Sequence, residues 1–288
     1  MADADSLWSQ SIRPLLDARE MASGAAHVAR VIAADAQLAC RYGQVFAAAA
    51  VPSRAAAEPN QRFVANVVNE SVLVNAAKAM AAFVATLISG RTAFDDFRDA
   101  LARNDLRTAS RYSLDAQRGL RLFIGRGQCS TCHVGPMFSN GEFADTGLPF
   151  FIRPGVVDPG RHGVLALRVS PYNLLSEWSD DPAGNAATKT RHVDLQPRHF
   201  GEFKVPSLRN VALTAPYMHD GQLATLGDVL GHYSELNLDR LHADGEQILK
   251  PLHLTARERA DMLAFLRSLT DPAAASWQPA ALQVCTGD

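Results

Sequence analysis

Two cysteines and a histidine lie at a spacing that can attach a haem. The stretch Cys129-Ser130-Thr131-Cys132-His133 places an imidazole directly after the second of two thiols. In a c-type haem attachment motif each thiol adds to a haem vinyl group, and the histidine becomes the proximal iron ligand. A thioredoxin-like redox pair or half of a zinc site would use the same cysteine spacing. However, no βαβ pattern surrounds the motif, and no second Cys pair completes a zinc tetrahedron. The motif therefore predicts one covalent haem c.

The second axial position of the iron decides what the haem can do. A methionine there suits electron transfer, a tyrosinate favours high oxidation states, and an open position lets peroxide bind. Eight downstream residues are candidates for this position: Met137, His162, His192, His199, Met218, His219, His232 and Tyr233. Met137 follows His133 too closely to reach the other haem face. We expect His162, His192 and His199 to be ordinary surface histidines. The residue types alone leave the choice open.

Helices that position the motif are predicted upstream of it. Ser113 is a side-chain N-cap for a helix over 114–124, which leads into the motif through a flexible Gly-Arg-Gly. Ala-rich segments between 6 and 50 and the apolar pattern over 63–88 predict further helices. Residues 92–111, by contrast, have sparse apolar side chains and no clear period. The fold class predicted from these patterns is mainly α.

Two capping boxes predict helices downstream of the motif. Thr225 precedes Asp228 by three positions, and Thr255 precedes Glu258 by the same spacing. The helix that begins after Thr255 has one apolar face, with which it should pack on the helix before the haem motif. The segment 134–203 between these regions is rich in Gly, Pro, Asp and Asn. So long an irregular segment is typical of a chain that wraps a cofactor or forms a functional surface.

Composition limits the function classes. The chain has 288 residues, 47% of them hydrophobic, and a net charge of −2, which gives no reason to expect nucleic acid as a partner. No signal peptide pattern opens the sequence and no run of about 18 apolar residues predicts a membrane span. Covalent haem attachment takes place outside the bacterial inner membrane, so we expect a periplasmic protein whose native beginning is absent here.

Cys40 and Cys285 are either a disulfide or two unpaired thiols.

Three blocks of the sequence resemble the bacterial di-haem cytochrome c peroxidase family, in particular its MauG-like branch with the MbnH-type enzymes. They are Leu122–Phe138, Phe203–Gly221 and Leu263–Thr270. The resemblance implies two facing c-type haem domains, and it matches this motif with the second of them. It implies that 1–112 is a helical remnant of the amino-terminal, peroxidatic domain with its connection. Residues 113–288 would be a cytochrome c-like haem domain with long irregular loops.

The same resemblance implies further ligands. In the family the distal ligand of this haem lies on the helix after the Met-His-Asp-Gly turn, as Met in the peroxidases and Tyr in the MauG-like branch. The matching residue is Tyr233, with Met218 as the alternative. Calcium binds in the family partly through backbone carbonyls of a Thr-x-Pro segment, which matches Thr214 and Pro216 and suits a hard cation.

The beginning of the chain matches the family's peroxide site. Gln10 and Glu20 correspond to residues beside the peroxide-reactive haem, where Glu moves a proton between the peroxide oxygens and Gln orients the substrate. The resemblance implies an enzyme that uses hydrogen peroxide and oxidises a partner protein, small cytochrome or cupredoxin. A second haem is expected in the full-length parent. The alternative is a mono-haem cytochrome that acts only in electron transfer, since the sequence has one haem motif.

Overall fold

The fold is mainly α-helical, which confirms the predicted class. The computed structural model describes residues 4–46, 61–148, 151–153, 156–240, 248–276, 278 and 284–285. Its helices are α1 (Leu7–Leu16), α2 (Ala25–Ala34), α3 (Ala36–Phe46), α4 (Gln61–Ala85), α5 (Ala93–Ala102), α6 (Leu106–Ala109), α7 (Leu114–Ile124), α8 (Leu165–Val169), α9 (Thr188–Arg191), α10 (Leu226–Ser234) and α11 (Ala256–Arg267).

Four short strands accompany the helices. They are β1 (Phe143–Asp145), β2 (Phe151–Arg153), β3 (Val156–Val157) and β4 (Glu202–Lys204). Strands β1 and β4 pair antiparallel with Ala144 opposite Phe203, and β2 pairs antiparallel with β3. The pairing of β1 with β4 closes the ends of the long segment between them. Apart from β2 and β3, the described residues of this segment form turns, short helices and 3-10 helices, as its composition predicts.

The chain divides into two compact units. One contains Ile88–Gly163 and Leu195–Gln278, and the other contains Asp3–Leu87 and Val164–Asp194. The compact units therefore do not divide at the predicted boundary after residue 112, because α5 and α6 pack with α7 in a single core. The domain assignment from the resemblance, 1–112 and 113–288, concerns the origin of each part and stays a prediction.

The unit with the haem motif is built around the crossing of α7 and α11. Phe123 of α7 packs against Phe265 of α11, and Met262, Phe265 and Leu269 are completely or almost completely buried. Gly119 of α7 sits so close to the α11 backbone that no side chain fits between the helices. The predicted packing of the carboxy-terminal helix on the haem-motif helix is confirmed.

Helix α5 is the main local structure that the sequence did not predict. Thr92 begins it with a full capping box, in which its hydroxyl accepts from the Asp95 N–H and the Asp95 carboxylate accepts from the Thr92 N–H. Its apolar residues lie on one face, on which Phe97 and Ala100 are buried and Phe97 stacks on Tyr112 at 4.4 Å between ring centroids. The predicted caps at Ser113, Thr225 and Thr255 are all confirmed.

The other unit has its core between α1 and α4. Trp8, Ile12 and Val74 are buried there. Among the described residues, one helical stretch, Ala65–Ala85 in α4, is long and apolar enough to cross a membrane, by length and composition only. The sequence does not predict a span here because polar residues interrupt the apolar run. The stretch buries Val74 and its neighbours against α1 within this unit.

Candidate haem site

The two motif cysteines lie on, and directly after, a short 3-10 helix that a tight turn joins to α7. The chain leaves α7 through a tight turn in which the Gly127 N–H donates to the Leu122 carbonyl at 2.9 Å. A Cβ at Gly127 would lie 2.7 Å from that carbonyl oxygen, so the turn requires glycine. The 3-10 helix Cys129–Thr131 follows, and the Cys132 N–H donates to the Cys129 carbonyl. The helix and turn thus place both thiols at one end of α7.

Both motif thiols are half-buried, and neither belongs to a disulfide. Burial raises the pKa of the Cys129 thiol to about 11, so this thiol is protonated at neutral pH. A redox-active cysteine pair instead has a lowered thiol pKa in an electropositive setting. These surroundings disagree with a thioredoxin-like pair. They suit cysteines that end as thioethers, which need no ionised sulfur in the finished protein.

His133 is oriented by a backbone carbonyl. Its Nδ1 lies 2.9 Å from the carbonyl oxygen of Phe138. Burial lowers the pKa of His133, with the Phe138 and Pro206 carbonyls acting in the opposite direction. A neutral ring that donates from Nδ1 leaves the Nε2 lone pair free for a metal, which is how outer carbonyls fix the tautomer of a metal-binding histidine. The donor set of two thiols and one oriented imidazole fits a haem c.

Tyr233 lies near the same two cysteines. Burial raises the pKa of Tyr233, and Cys129, Cys132 and Asp145 raise it further, because any negative charge on these groups disfavours a phenolate. The phenol is therefore within electrostatic reach of the motif, on α10, and it keeps its proton unless a cation is close. A ferric iron is such a cation. Tyr233 is chemically suited to the distal position that the resemblance assigns to it.

Three other candidates from the Pro216–Gly221 turn and α10 have different surroundings. Met218 is half-buried with a φ of +72° in the turn. His219 stacks on Phe203 with 3.6 Å between ring centroids. His232 Nε2 lies 2.8 Å from the Thr146 carbonyl, so one ring nitrogen is already engaged.

The remaining histidines do not all lie on the surface. His192 is exposed, and His162 is half-buried with its ring 5.7 Å from that of Phe200. His199, however, is only 4% exposed, so its assignment as a surface histidine is wrong. It is buried because the short 3-10 helix at Pro197–His199 turns it inward. Met137 is 54% exposed.

The residues matched with the peroxide site lie in the other compact unit. Gln10 is exposed on α1, on the opposite side of that helix from the buried Ser9 and Ile12. Glu20 is exposed in the turn after α1, where its N–H donates to the Asp17 carbonyl at 3.0 Å. The structure shows no contact that joins Gln10 to Glu20, and their roles stay predictions.

The segment matched with calcium is also exposed. Thr214 and Pro216 are both accessible to solvent, and the Thr214 hydroxyl donates to the Val211 carbonyl at 3.2 Å. Among the residues described, no group of three or more His, Cys, Asp or Glu side chains is arranged to hold a metal ion. A calcium site here would depend on carbonyl oxygens, as the resemblance implies.

Several residues important for the site carry no sequence signal of their own. The Phe138 carbonyl that orients His133 is a backbone group, which any residue type could supply. Gly119 could have been noticed as a small residue on the inner face of the haem-motif helix. Arg209 stands inside the block Phe203–Gly221, but its partner Asp95 is 114 positions away.

Comparison with known proteins gives one consistent family. The family model for di-haem cytochrome c peroxidase matches residues 2–102. A cytochrome-c peroxidase from Denitromonas iodatirespirans, IdrP1, is 34% identical over 69% of this chain and 51% of its own length. The methylamine utilization protein MauG of Methylorubrum extorquens is 34% identical over 68% of this chain and 44% of its own length.

A solved structure is similar over almost the whole chain. It is a MauG-like protein associated with microbial copper homeostasis, 26% identical, with a TM-score of 0.56 over 93% of this chain and 70% of that chain. The chain spans about half the length of the curated relatives it matches.

Proposed function

Because the chain belongs to the di-haem cytochrome c peroxidase and MauG family, we propose that it forms the part of a peroxidase-type oxidoreductase that carries one haem c. The observation that carries the proposal is the orientation of His133 beside the two motif thiols, because its Nδ1 is bonded to a carbonyl so that Nε2 can bind iron. The haem would supply an iron that exchanges electrons and, where an axial position is open, binds peroxide.

His133 and Tyr233 would hold the two axial positions of this haem. His133 would contribute Nε2, and Tyr233 would contribute its phenol oxygen after losing its proton. Met218 is the alternative ligand. An anionic oxygen ligand offsets charge on an oxidised iron, so Tyr233 would favour storage of oxidising equivalents over simple electron relay.

The peroxide reaction would use Gln10 and Glu20. Glu20 would take a proton from one oxygen of hydrogen peroxide and return it to the other, while Gln10 orients the molecule. Both side chains are exposed and accessible to a substrate. Because the family design has two haems and this sequence has one motif, the second haem is proposed for the full-length parent.

The cellular location, the redox partner and a calcium ion are proposed from the same family. We propose a periplasmic location, with electrons supplied by a redox partner protein, small cytochrome or cupredoxin. The disulfide between Cys40 and Cys285 supports an oxidising compartment, where such bonds persist. Calcium bound through carbonyls of Thr214 and Pro216 completes the proposal.

A mono-haem cytochrome limited to electron transfer is the second candidate. The single Cys-x-x-Cys-His motif in the sequence favours it. The two candidates differ in what happens to peroxide, because only the enzyme consumes it at the expense of a reduced partner.

Haem attachment is tested first. The chain is produced in a host that matures c-type cytochromes, and covalent haem is measured by intact mass and by haem staining after denaturing electrophoresis. We expect one haem per chain, and its loss in the Cys129→Ala/Cys132→Ala variant. A wild-type chain without covalent haem in a host that matures a control cytochrome would refute the proposal.

Peroxide chemistry is tested on the full-length parent. Hydrogen peroxide consumption with a reduced small cytochrome should fall about 100-fold or more in Glu20→Gln, since a positioned acid–base group contributes that much. Glu177→Gln, at an exposed glutamate of the same compact unit, is the control. Equal turnover in both variants would remove Glu20 from the mechanism.

The distal ligand is tested by spectroscopy of the haem-loaded chain. Tyr233→Phe should change the ferric spectrum, and Met218→Leu should not. A sulfur-to-iron charge-transfer band at the red edge of the visible spectrum, lost in Met218→Leu, would assign the position to methionine instead.

A further inference from the structure

The carbonyl that orients His133 belongs to a tightly folded loop. Phe138 has a left-handed backbone conformation with a φ of +50°, which is uncommon for a residue with a side chain. Backbone hydrogen bonds connect the two residues after Phe138 to residues in or next to the haem motif. The Ser139 N–H donates to the Val134 carbonyl, and the Asn140 N–H donates to the Cys132 carbonyl. This loop, residues 134–138, must keep its shape for the Phe138 carbonyl to stay on His133.

Arg209 fastens this loop from a distant part of the sequence. Its Nε donates to the Pro136 carbonyl at 2.7 Å, and its guanidinium carbon lies 5.8 Å from the centre of the Phe138 ring. Ser207 adds a second link, because its hydroxyl donates to the Met137 carbonyl at 2.7 Å and accepts from the Arg209 N–H. Two consecutive loop carbonyls before Phe138 are therefore bonded to the 207–209 segment.

Asp95 holds Arg209 in place. The two side chains form a bidentate pair at 2.7 and 2.9 Å, and they are only 11% and 6% exposed for Arg209 and Asp95 respectively. Asp95 is itself fixed by the capping box with Thr92 at the start of α5. A buried, two-pronged ion pair of this kind has little freedom to rearrange. It connects a rigid helix end to the loop beside His133.

We propose that Arg209 is a positioning residue for the proximal histidine: anchored by Asp95, it holds the loop that keeps the Phe138 carbonyl on His133 Nδ1. This inference rests on the proposed function, because the property that it sets is the electron affinity of an iron bound to His133. A hydrogen bond from Nδ1 makes the imidazole more electron-rich and favours the ferric state. Loosening the loop should therefore raise the reduction potential.

The test needs variants that keep the net charge constant. Arg209→Met alone would leave the Asp95 carboxylate with only its longer ion pair to Arg98 at 3.5 Å, and the added negative charge would lower the potential and oppose the effect. Arg209→Lys keeps the charge but cannot bond to Asp95 and Pro136 with the same planar fork. The double variant Asp95→Asn/Arg209→Met removes both charges together.

A matched control exists in the same compact unit. Arg118 pairs with Asp261 through two hydrogen bonds of 2.9 Å, and this pair joins α7 to α11 without touching the 134–138 loop. Asp261→Asn/Arg118→Met should lower stability but leave the potential unchanged. Any effect of merely losing a bidentate ion pair appears in both double variants.

The reduction potential is measured by redox titration of each haem-loaded chain. We expect Arg209→Lys and Asp95→Asn/Arg209→Met to favour the ferrous state by roughly tenfold, or about 59 mV for one electron, in line with the usual effect of groups that support a metal ligand. A ferrous-to-ferric ratio within twofold of wild type at the same applied potential in both Arg209 variants, or an equal shift in the control, would overturn the inference. If one Arg209 variant does not fold, the other decides.

A chain that takes up no haem would refute the proposed function but still test the inference. The His133 tautomer is then read by nitrogen-15 NMR on the same isolated chain. We expect the Nδ1–H form to predominate in wild type and in Asp261→Asn/Arg118→Met, and to decrease in the Arg209 variants. Unchanged tautomer ratios in the Arg209 variants would overturn the inference.

Discussion

Gly119 tests the crossing of the haem-motif helix with the carboxy-terminal helix. A Cβ added there would lie 2.1 Å from the Asp261 carbonyl oxygen and 2.8 Å from the Phe265 Cβ. Ordinary contact begins at 3.4 Å, so Gly119→Ala must move the helix backbones apart by about 1.3 Å. No rotamer change relieves this clash, because one of the two groups is backbone.

The magnitude follows from two opposing effects. Overpacking a core costs about 1–3 kcal/mol, and a backbone clash belongs at the upper end of that range. Alanine in place of glycine in a helix returns about 1 kcal/mol. We therefore expect Gly119→Ala to lower the free energy of unfolding by about 2 kcal/mol. For a unit of this size that corresponds to a decrease in Tm of roughly 4–8 °C.

Thermal unfolding followed by circular dichroism measures this change. The control is Gly231→Ala, in helix α10 of the same unit, where the new Cβ would come no closer than 3.9 Å to Arg259 Nη1. We expect that variant to be as stable as wild type or slightly more stable. A Gly119→Ala protein with an unchanged or higher Tm would show that the helices do not cross as closely as described.

Three further changes test other parts of the structure. The hydrogen bond from Arg209 lowers the pKa of Asp95, so its stabilisation is complete above the ordinary carboxyl pKa near 4 and is lost as the pH falls through the lowered value. Denaturant titrations of Asp95→Asn should thus show a flatter fall in stability below about pH 4, and slopes equal to wild type would contradict the pairing. Cys40→Ser opens the bond to Cys285 and should lower the free energy of unfolding by about 2–4 kcal/mol. Peptide mapping without reductant checks the bond, and two free thiols in oxidised wild-type protein would exclude it. Ser113→Ala removes the N-cap of α7 and should lower the free energy of unfolding by about 1 kcal/mol, whereas Ser113→Asp should retain most of the stability. Equal Tm values for both Ser113 variants would argue against the cap.

Features that depend on neighbouring residues could be predicted from the sequence. The haem motif is one such feature, because the two thiols and the imidazole lie within five consecutive residues. The caps at Ser113, Thr225 and Thr255 are others, since a capping side chain bonds to a backbone group only three positions away. The packing of the last helix was also predictable, because its apolar face repeats with the helical period.

The sequence was less informative wherever a structure depends on distant partners. Helix α5 was missed although Phe94, Phe97 and Leu101 recur at helical spacing and a capping box begins it. The stacking of Phe97 on Tyr112, by contrast, is a tertiary contact that only the structure shows. His199 looked like a surface residue because nothing near it in the sequence shows that it is buried. The sequence left the state of Cys40 open, since a bond to a residue 245 positions away has no local signal.

The haem site shows the same division. The sequence by itself determined which residues can attach a haem and which histidine can bind its iron. The tertiary structure decided how that histidine is oriented, because a backbone carbonyl accepts a hydrogen bond from its Nδ1 and the Arg209–Asp95 pair anchors the loop that carries the carbonyl. Spacing along the chain specifies the covalent chemistry, whereas the ion pair that anchors the loop forms only when segments 114 positions apart pack together.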